Sequence, residues 1–408
     1  MLSVEEARQQ LLQALPVVET EQAPLEAAYG RVLAEGIKAD LDSPPFSNSS
    51  MDGFAVQARD VQAAQEDNGV ELAVVGDIPA GRPSSAALKS GQAMRIMTGA
   101  PMPAGADAVI PVEDTDADGR GTDAPLPDHV QIRRAVQAGA YVRVQAEDYR
   151  AGDLLVLPGR RVRPQEAALL AMQGQARVLV YRKPRVALFS SGDELAAPDE
   201  ALKPGQIRET NSFSLAAQVE SCGAERLALG IAPDRLDAIV ATLDKAVEMG
   251  AELILSSAGV SVGAYDYLRE ALLSAGKLDF WRVNMRPGKP LAFGSYRGVP
   301  YIGLPGNPVS AFVGFEVFVR PALHKMGGVQ DWSRLRVAAH LAEDLHSDGR
   351  ESYLRGVLRG FGEEAEVDLT GHQGSGNLYS LAQANCLIRV PAGVSSKKAG
   401  DQVEAWPL

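Results

Sequence analysis

The sequence contains few of the residues that build disulfide frameworks and zinc sites. Its 408 residues include two cysteines, Cys222 and Cys386, which lie far apart and form no CxxC pair. The five histidines are scattered without metal-ligand spacing. These features argue against a disulfide scaffold and a zinc centre, and they are typical of a reducing compartment. No Ser-His-Asp or Cys-His constellation is apparent, so we do not expect a nucleophilic triad.

An excess of positive charge and long apolar runs are lacking as well. The net charge of −12 argues against a protein that coats nucleic acid, although a local arginine and lysine cluster can still bind an anion in one cleft. The richest apolar stretch, residues 299–319, is interrupted by proline and glycine, and the charged residues 1–8 lack the apolar core of a signal peptide. We therefore expect a cytoplasmic protein that binds neither nucleic acid nor membrane.

The first half of the chain predicts two domains. The composition, 46% apolar and 23% charged, is an ordinary globular mixture, and about 150 residues per domain predicts two to four domains. Residues 1–40 and 145–180 are expected to form one discontinuous domain, which begins with a helix capped by Ser3 and Glu6. Residues 41–144 contain short β-type runs between Gly, Pro, Ser and Asp, which indicate a β-rich inserted domain.

The second half predicts an α/β domain and a further β domain. Strand and helix patterns alternate through residues 181–327, which favours a parallel sheet with helices on both faces. Residues 328–408 contain short alternating strands and predict a small C-terminal β domain. The expected fold class is therefore α/β plus β, with several domains.

Small-residue turns follow three predicted strands of the α/β domain, at residues 189–194, 256–263 and 303–308. Open α/β sheets bind ligands at the carboxyl ends of their strands, where glycine and serine let backbone N–H groups approach a phosphate. One such turn alone could be an ordinary tight turn, but three on one edge favour a binding site. The candidate ligand-binding residues are Ser190, Gly192, Ser257, Gly259, Ser261, Gly263, Pro305, Gly306, Asn307 and Pro308.

Arg282, Arg286 and Lys289 add positive charge between these turns. Arginine can hold a phosphate through two parallel hydrogen bonds, whereas lysine acts as a point charge. The alternative is a solvated basic edge without a ligand. The neighbouring turns favour an anionic ligand.

Carboxylates form the other half of the candidate site. Cleavage of a phosphoanhydride with Mg²⁺ needs carboxylates that hold the metal, and Asp52, Glu194 and Asp266 follow turns. Each has a structural alternative: Asp52 before Gly53 is a common turn pair, and Asp266 could cap the helix that follows it. Asp234 is equally well placed as a helix N-cap.

Taken together, these residues resemble the molybdopterin molybdenumtransferases, the MoeA family, which also includes the E domain of gephyrin. The resemblance extends over essentially the whole chain. It is based on seven motifs in order, at residues 46–56, 95–101, 190–195, 256–263, 286–290, 303–310 and 371–375.

The resemblance implies a fold and a reaction. The fold would contain a three-layer α/β domain of molybdopterin-binding type and a small β-barrel-like C-terminal domain. The enzyme would insert molybdenum from molybdate into adenylylated molybdopterin with Mg²⁺ and release AMP. The functional polar residues implied by the motifs are Asp52, Thr98, Asp148, Glu194, Asp234 and Asp266.

The resemblance also implies binding roles and partners. Arg286 and Lys289, beside Arg282, would contact the pterin ligand, and Glu194 and Asp266 would hold Mg²⁺. Arg355 and Ser375 would bind molybdate near Pro305 and Pro308. The protein would be a homodimer with active sites shared between chains, and molybdopterin adenylyltransferase and molybdoenzyme-maturation proteins would be its partners.

Two other functions stay open at the level of sequence. Molybdopterin adenylyltransferase shares the α/β domain, and gephyrin illustrates an interaction scaffold. The additional β domains with Asp52 and Arg355 favour metal insertion, and the intact carboxylates argue against a purely structural role. Molybdate and tungstate have the same charge and nearly the same size, so both fit the sequence.

Overall fold

The structure is a computed structural model that describes residues 1–119, 124–257 and 265–408, except for the side chains of residues 265, 266, 280 and 281. The chain forms two compact units. The first contains Met1–Glu35, Pro158–Ala171 and Gln175–Leu408, and the second, inserted unit contains Gly36–Leu157 and Met172–Gly174. The finer division into four domains stays a prediction. No helix of the described residues is both long and apolar enough to cross a membrane.

The first unit begins with the capped helix that the sequence predicts. The helix spans Val4–Ala14, and Ser3 and Glu6 form a capping box. The Ser3 Oγ accepts from the Glu6 backbone N–H at 3.2 Å, and the Glu6 carboxylate accepts from the Ser3 N–H at 2.8 Å. Ala7 and Leu11 are buried on one face of the helix. The same unit contains the antiparallel strand pair Thr20–Pro24 and Arg177–Tyr181 and all but the last residue of the helix Pro164–Met172.

The inserted unit is rich in β-structure, as predicted. Its main sheet has five strands in the spatial order Ala108–Pro111, Gly53–Val56, Gln92–Ile96, Val70–Ile78 and His129–Ile132. Two smaller antiparallel pairs join Ile37–Lys38 to Leu154–Val156 and Asn48–Ser49 to Val142–Arg143. Short 3₁₀ helices lie at Ala58–Val61 and Val112–Asp114. Gly53 is required in this sheet because a Cβ there would overlap the Ile110 carbonyl oxygen.

A six-stranded sheet forms the centre of the first unit. Four neighbouring strands are parallel, which confirms the predicted parallel-rich sheet, and two antiparallel strands extend it at one edge. The spatial order is Glu225–Ala232, Arg185–Ser191, Leu253–Ser257, Val299–Leu304, Pro290–Tyr296 and Gly276–Arg282.

Helices cover both faces of this sheet. Successive strand residues point to opposite faces, so Val186 and Leu188 lie in one core while Ala187 and Phe189 lie in the other. The first core contains residues of the N-terminal helix and of Asn211–Ser221, Pro308–Gly314, Phe315–Val319 and Arg320–Met326. The second contains residues of Leu236–Glu248 and Tyr265–Ala275.

The C-terminal region is a closed five-stranded barrel. Around the barrel, the strands follow the order Glu351–Arg359, Glu366–Leu369, Val337–Leu341, Gln402–Pro407 and Cys386–Val390, and the last pairs again with the first. The short strand Met285–Arg286 from the α/β region pairs with Glu351–Arg359 at its start. A small pair, Leu345–His346 with Ser396–Lys397, and the helix Leu378–Gln383 complete this region. The barrel therefore contacts the basic segment around Arg286.

Candidate functional site

A cleft of about 1320 Å³ opens at the carboxyl ends of the parallel strands. It lies within the first compact unit, between the strand-end turns, the basic segment and the loop at 373–376. This is the position at which open α/β sheets bind ligands. Twelve residues that the sequence singled out line it: Gly192, Glu194, Asp234, Ser257, Arg282, Arg286, Lys289, Pro305, Gly306, Asn307, Pro308 and Ser375.

A buried network of polar side chains connects the strand-end turns. The Ser190 hydroxyl donates to Glu209 Oε1 at 2.9 Å and lies 3.3 Å from the Ser257 hydroxyl. The Asn211 amide donates to Ser257 Oγ at 2.8 Å and to the Gly306 carbonyl at 2.7 Å. These contacts join the ends of three parallel strands. Ser190 therefore helps to hold together the strand ends that form the cleft.

Glu209 and Asn211 are cleft residues that the sequence reasoning missed. Both are buried, and Glu209 also accepts hydrogen bonds from the backbone N–H and hydroxyl of Ser212 at the start of a helix. This order is the reverse of a capping box, in which the serine comes first and the carboxylate three residues later, so no local signal drew attention to Glu209. Its contact to Ser190 depends on the tertiary structure.

Two polar atoms that line the cleft have no hydrogen-bond partner among the described residues. They are the buried Ser191 hydroxyl and Asp234 Oδ1. Buried polar atoms are nearly always hydrogen-bonded, so unpaired ones in a cleft indicate a site for a ligand. Burial raises the pKa of Asp234, and the negative charges of Asp193 and Glu194 raise it further. This part of the cleft therefore favours a cation or a proton.

The capping interpretation of Asp234 is wrong. The helix begins at Leu236, and its N-cap residue is Arg235, which makes no side-chain cap. Asp234 instead lies in the turn before the helix, where its backbone N–H donates to Asp193 Oδ1 at 3.1 Å. Its carboxylate is left to line the cleft.

Gly192 allows the neighbouring carboxylate to lie against the turn. Its φ is +150°, and a Cβ at this position would lie 2.5 Å from an oxygen of Glu194. Real Cβ atoms essentially never approach another atom so closely. A larger residue at position 192 would therefore displace the Glu194 carboxylate.

The three cations of the basic segment lie at the end of one strand and in the connection to the next: Arg282 ends a strand, and Arg286 and Lys289 follow it. Gly276–Arg282 and Pro290–Tyr296 are antiparallel, with Arg282 opposite Pro290, so the intervening residues form the tip of a hairpin. The Val283 N–H donates to the Lys289 carbonyl at 2.9 Å and closes this tip. Arg282, Arg286 and Lys289 all line the cleft. A role in anion binding is thus better supported than the alternative of a solvated basic edge without a ligand.

Arg350 is a fourth cation in the cleft that the sequence reasoning did not single out. Its guanidinium donates from Nε to Asp348 Oδ2 at 3.0 Å, and Arg286 Nη1 lies 3.7 Å from the same oxygen. Arg350 holds the pKa of Asp348 below its usual range. Asp348 thereby fixes two arginines next to the cleft. No sequence motif predicts this, because Arg350 comes from a loop before a barrel strand.

Arg355 lies beneath the cleft. It is fully buried, and its Nη2 donates to the carbonyls of His372 and Gly374 at 3.1 Å, while Nη1 donates to the Gln373 carbonyl at 3.2 Å. Its Nε donates to the Ser380 hydroxyl at 3.2 Å. Arg355 thus holds the loop that carries Ser375. The direct contact of Arg355 with molybdate stays a prediction.

Asp52, Thr98 and Asp148 lie in the inserted unit. Asp52 Oδ1 accepts from both the backbone N–H and the hydroxyl of Thr98 at 2.7 Å, and these bonds lower the pKa of Asp52. Asp148 accepts from the Ser43 hydroxyl and from Arg143, both at 3.0 Å. Asp52 is therefore held in its ionised form by Thr98.

Some predicted site residues lie outside the described residues. These are Gly259, Ser261 and Gly263. Asp266 is the second residue of the helix Tyr265–Ala275, but its side chain is not described. Within the described ranges, no group of three or more His, Cys, Asp or Glu residues is arranged to hold a metal ion.

Three family models match the chain in succession. Residues 2–174 match the MoeA N-terminal region (domain I and II), residues 187–325 match a probable molybdopterin binding domain, and residues 338–408 match the MoeA C-terminal region (domain IV). The matches leave only short connecting segments uncovered.

Several full-length proteins and structures are similar to this chain. A protein from Nostoc sp. named molybdopterin molybdenumtransferase is 41% identical, over 94% of this chain and 88% of the relative. Molybdopterin molybdenumtransferase 2 from Mycobacterium tuberculosis is 39% identical over the whole length of both chains. The crystal structure of the molybdopterin biosynthesis MoeA protein from Pyrococcus horikoshii OT3 has a TM-score of 0.84, is 32% identical and covers both chains completely.

Proposed function

Since the chain belongs to the MoeA family, we propose that it inserts molybdenum from molybdate into adenylylated molybdopterin, yields molybdenum cofactor and releases AMP. It is a transferase, and its relatives support a place in molybdenum-cofactor biosynthesis. The observation that best supports the proposed reaction is the composition of the strand-end cleft. It combines cations, small-residue turns and unpaired polar atoms in one cavity.

The cations and turns of the cleft suit a ligand with several phosphate groups. Arg282, Arg286, Lys289 and Arg350 supply positive charge to one cleft in a chain whose net charge is −12. Focused positive charge of this kind attracts anionic substrates even to an acidic protein. A volume of about 1320 Å³ is large enough for a pterin joined to a nucleotide. The unpaired Ser191 hydroxyl can donate to a phosphate oxygen.

The carboxylates of the cleft fit Mg²⁺. Mg²⁺ is usually bound by one or two carboxylates together with substrate phosphates and water, so a full protein cage is not needed. Asp234 has an unpaired oxygen, and burial together with the negative charges of Asp193 and Glu194 raises its pKa. A bound divalent cation would offset these charges. We infer that Glu194 and Asp234 hold the ion, with Asp266 as the further predicted ligand. Bound there, Mg²⁺ would stabilise negative charge on the phosphoanhydride.

We place molybdate where the basic tip meets the loop held by Arg355. Ser375 lines the cleft beside Pro305 and Pro308, and its carbonyl accepts from the Val309 N–H at 3.1 Å. An oxyanion with two negative charges requires charge-assisted donors, which Arg286 and Lys289 provide. In this proposal the Ser375 hydroxyl donates to the same anion. Arg355 acts here by fixing the loop in position.

The quaternary arrangement completes the proposal. We propose a homodimer in which Asp52, Thr98 and Asp148 of one subunit contribute to the cleft of the other. Molybdopterin adenylyltransferase would supply the substrate, and molybdoenzyme-maturation proteins would receive the product. This arrangement accounts for functional carboxylates in both compact units of a single chain.

The decisive experiment measures AMP release from adenylylated molybdopterin with and without molybdate. We expect release to require molybdate and to fall at least tenfold in Lys289→Ala, since one charged contact contributes about 1.5–3 kcal/mol. The matched control is Lys277→Ala, an exposed lysine on the preceding strand that does not line the cleft. Formation of adenylylated molybdopterin from ATP, without molybdate-dependent AMP release, would instead identify an adenylyltransferase.

A further inference from the structure

A second cleft, of about 990 Å³, lies in the same compact unit. Among the described residues it shares no lining residue with the strand-end cleft. We call it the arginine cleft, because seven arginines line it: Arg8, Arg160, Arg161, Arg163, Arg320, Arg334 and Arg336.

Arginine side chains outnumber carboxylates around this cleft. Glu316 and Asp331 line it, and three further carboxylates pair with lining arginines from outside. These are Glu5 with Arg8, Glu166 with Arg160 and Arg163, and Glu404 with Arg336. Counting side chains, seven arginines therefore face five carboxylates in a chain with a net charge of −12.

The inner wall of the arginine cleft is rigidly bonded. Glu316 is almost completely buried and accepts from Arg320 at 2.7 and 2.8 Å, from Gln218 at 2.7 Å, and from Arg334. Paired in this way, the two guanidinium groups are held in fixed orientations. A preorganised guanidinium loses little entropy when it binds a ligand, so its remaining donors can contribute fully to affinity.

Two buried nitrogen atoms in this wall have no partner within the described part of the chain. They are Arg334 Nε and His324 Nδ1, and both residues line the cleft. An unpaired buried donor is unfavourable, so a ligand that accepts from Arg334 Nε would recover the lost hydrogen bond. A ligand anion is therefore a natural partner for Arg334 Nε, and for His324 Nδ1 in the tautomer that carries the proton on this nitrogen.

The charges around His324 also favour an anion. Burial lowers the pKa of His324 to about 4, and the positive charges of Arg161, Arg320 and Arg334 lower it as well, while Glu316 opposes them. His324 is consequently neutral at pH 7. An anion next to the imidazole would offset the arginines and raise this pKa.

Aromatic rings complete the cleft. Trp332 and Trp406 line it, and the Arg334 guanidinium lies over the Trp406 ring at 5.4 Å from its centroid. This contact holds the arginine in place and provides a flat apolar surface. It also makes tryptophan fluorescence a reporter of the site, because two of the three tryptophans of the chain line the cleft.

We propose that the arginine cleft is a second anion site that binds the terminal phosphate of a phosphate monoester. Such a group carries close to two negative charges at neutral pH and three acceptor oxygens, which suits a cluster of forked donors better than a carboxylate does. Inorganic phosphate and AMP are two sources of this chemistry. This proposal does not depend on whether the protein catalyses the reaction proposed above.

The test follows the imidazole signals of the five histidines by NMR while phosphate or AMP is added at constant ionic strength with chloride. His324 reports on the arginine cleft, and His372 lies next to Gln373 in the strand-end cleft. We expect His324 to respond to both ligands and its titration to move to higher pH. Tryptophan fluorescence should change over the same concentration range.

Two variants and one control make the result specific. Arg334→Lys keeps a charge for Glu316 but removes the Nε donor, and it should weaken binding about tenfold. Arg160→Gln changes a half-exposed rim residue whose partner Glu166 keeps Arg163, so it should fold normally and weaken binding about twofold to threefold. Arg286→Ala should reduce the response of His372 but leave that of His324.

Three results would overturn the proposal. The first is a His324 response of equal size to chloride alone. The second is a response confined to His372, which would place phosphate only in the strand-end cleft and leave the proposed function untouched. The third is unchanged affinity in both Arg334→Lys and Arg160→Gln.

Discussion

At the scale of single residues, two kinds of polar side chain line or support the cleft. Glu209 and Arg355 have their polar atoms engaged by neighbouring protein groups, so they fix the shape of the site. Ser191 and Asp234 keep a buried atom without a partner in the described structure, so they are suited to bind a ligand. Removing the first kind should disturb geometry, and removing the second should affect binding directly.

Asp234→Asn should stabilise the protein at neutral pH while it reduces activity. The pKa of Asp234 is raised above its ordinary value of 3.8 by burial and by Asp193 and Glu194, so the ionised form is disfavoured in the folded state. The folded protein therefore loses stability as the pH rises from 3.8 through the raised pKa. Asparagine avoids this loss, so Tm should increase slightly at pH 7.

The measurement is the melting temperature of both proteins between pH 3 and pH 7. The stabilisation should disappear at the acid end, where Asp234 is protonated in both the folded and unfolded states. Asp199→Asn, at an exposed position, controls for the loss of one carboxylate. A Tm difference independent of pH would contradict the assignment.

Thr98→Val should raise the pKa of Asp52. The Thr98 backbone N–H and the Thr98 hydroxyl both donate to Asp52 and lower its pKa, and valine removes the hydroxyl donor. If turnover needs ionised Asp52, the acid limb of the kcat/KM profile moves to higher pH, while kcat/KM at neutral pH changes little because the carboxyl group is still ionised there. Carboxyl NMR measures the pKa directly. Thr98→Ser keeps the hydroxyl and should behave like the wild type; an unshifted acid limb in Thr98→Val would rule out the role of this pair.

At the scale of secondary-structure elements, the cleft depends on connections rather than on helices or strands themselves. The hairpin tip between Gly276–Arg282 and Pro290–Tyr296 carries Arg286 and Lys289, and its short strand Met285–Arg286 pairs with the barrel strand Glu351–Arg359. The loop at 371–376 is held from below by Arg355 in the same barrel strand. One barrel strand thus positions both the basic tip and the Ser375 loop.

Arg355→Gln should loosen this loop and raise the molybdate concentration needed for half-maximal AMP release. The substitution leaves several carbonyls of residues 372–374 without their buried donor, at a cost of about 3 kcal/mol of stability. Hydrogen exchange at residues 371–376 should accelerate, while pterin binding changes less than the molybdate dependence. An unchanged half-saturation point for molybdate would contradict a role of Arg355 at this site.

At the scale of the whole molecule, the functional carboxylates are divided between the two compact units. Asp52 lies in the inserted unit, whereas Glu194 lies in the α/β region of the first unit. The proposed homodimer brings together these residues from different chains. The dimer is therefore a condition for activity in this proposal, because each proposed site needs residues of both chains.

Asp52→Ala and Glu194→Ala should complement each other. Each variant alone should be nearly inactive, but denaturing and refolding them together makes about half of the dimers mixed. A mixed dimer would have one cleft with both substitutions and one with neither, so about a quarter of wild-type activity should return. AMP release measures the recovery, and differently tagged chains verify the mixing. Absence of recovery in a sample that contains mixed dimers would exclude a shared site.

The sequence by itself determined the elements and the chemistry of the chain. Local periodicity and capping signals identified the helix after Ser3 and the strand at Leu253–Ser257, because these depend on neighbours a few residues away. Small-residue turns after strands indicated the edge of the sheet at which the cleft opens. The sequence alone was therefore sufficient to predict the fold class and the family.

Only the tertiary structure decided which polar atoms are engaged and which are free. Asn211 bonds to Gly306 and Arg355 bonds to the loop at 372–374, across 95 and up to 19 positions of the chain respectively. Asp234 lost its expected capping role because the helix starts at Leu236. Burial and hydrogen-bond partners depend on contacts between distant segments, and residue type and local spacing do not encode those contacts individually.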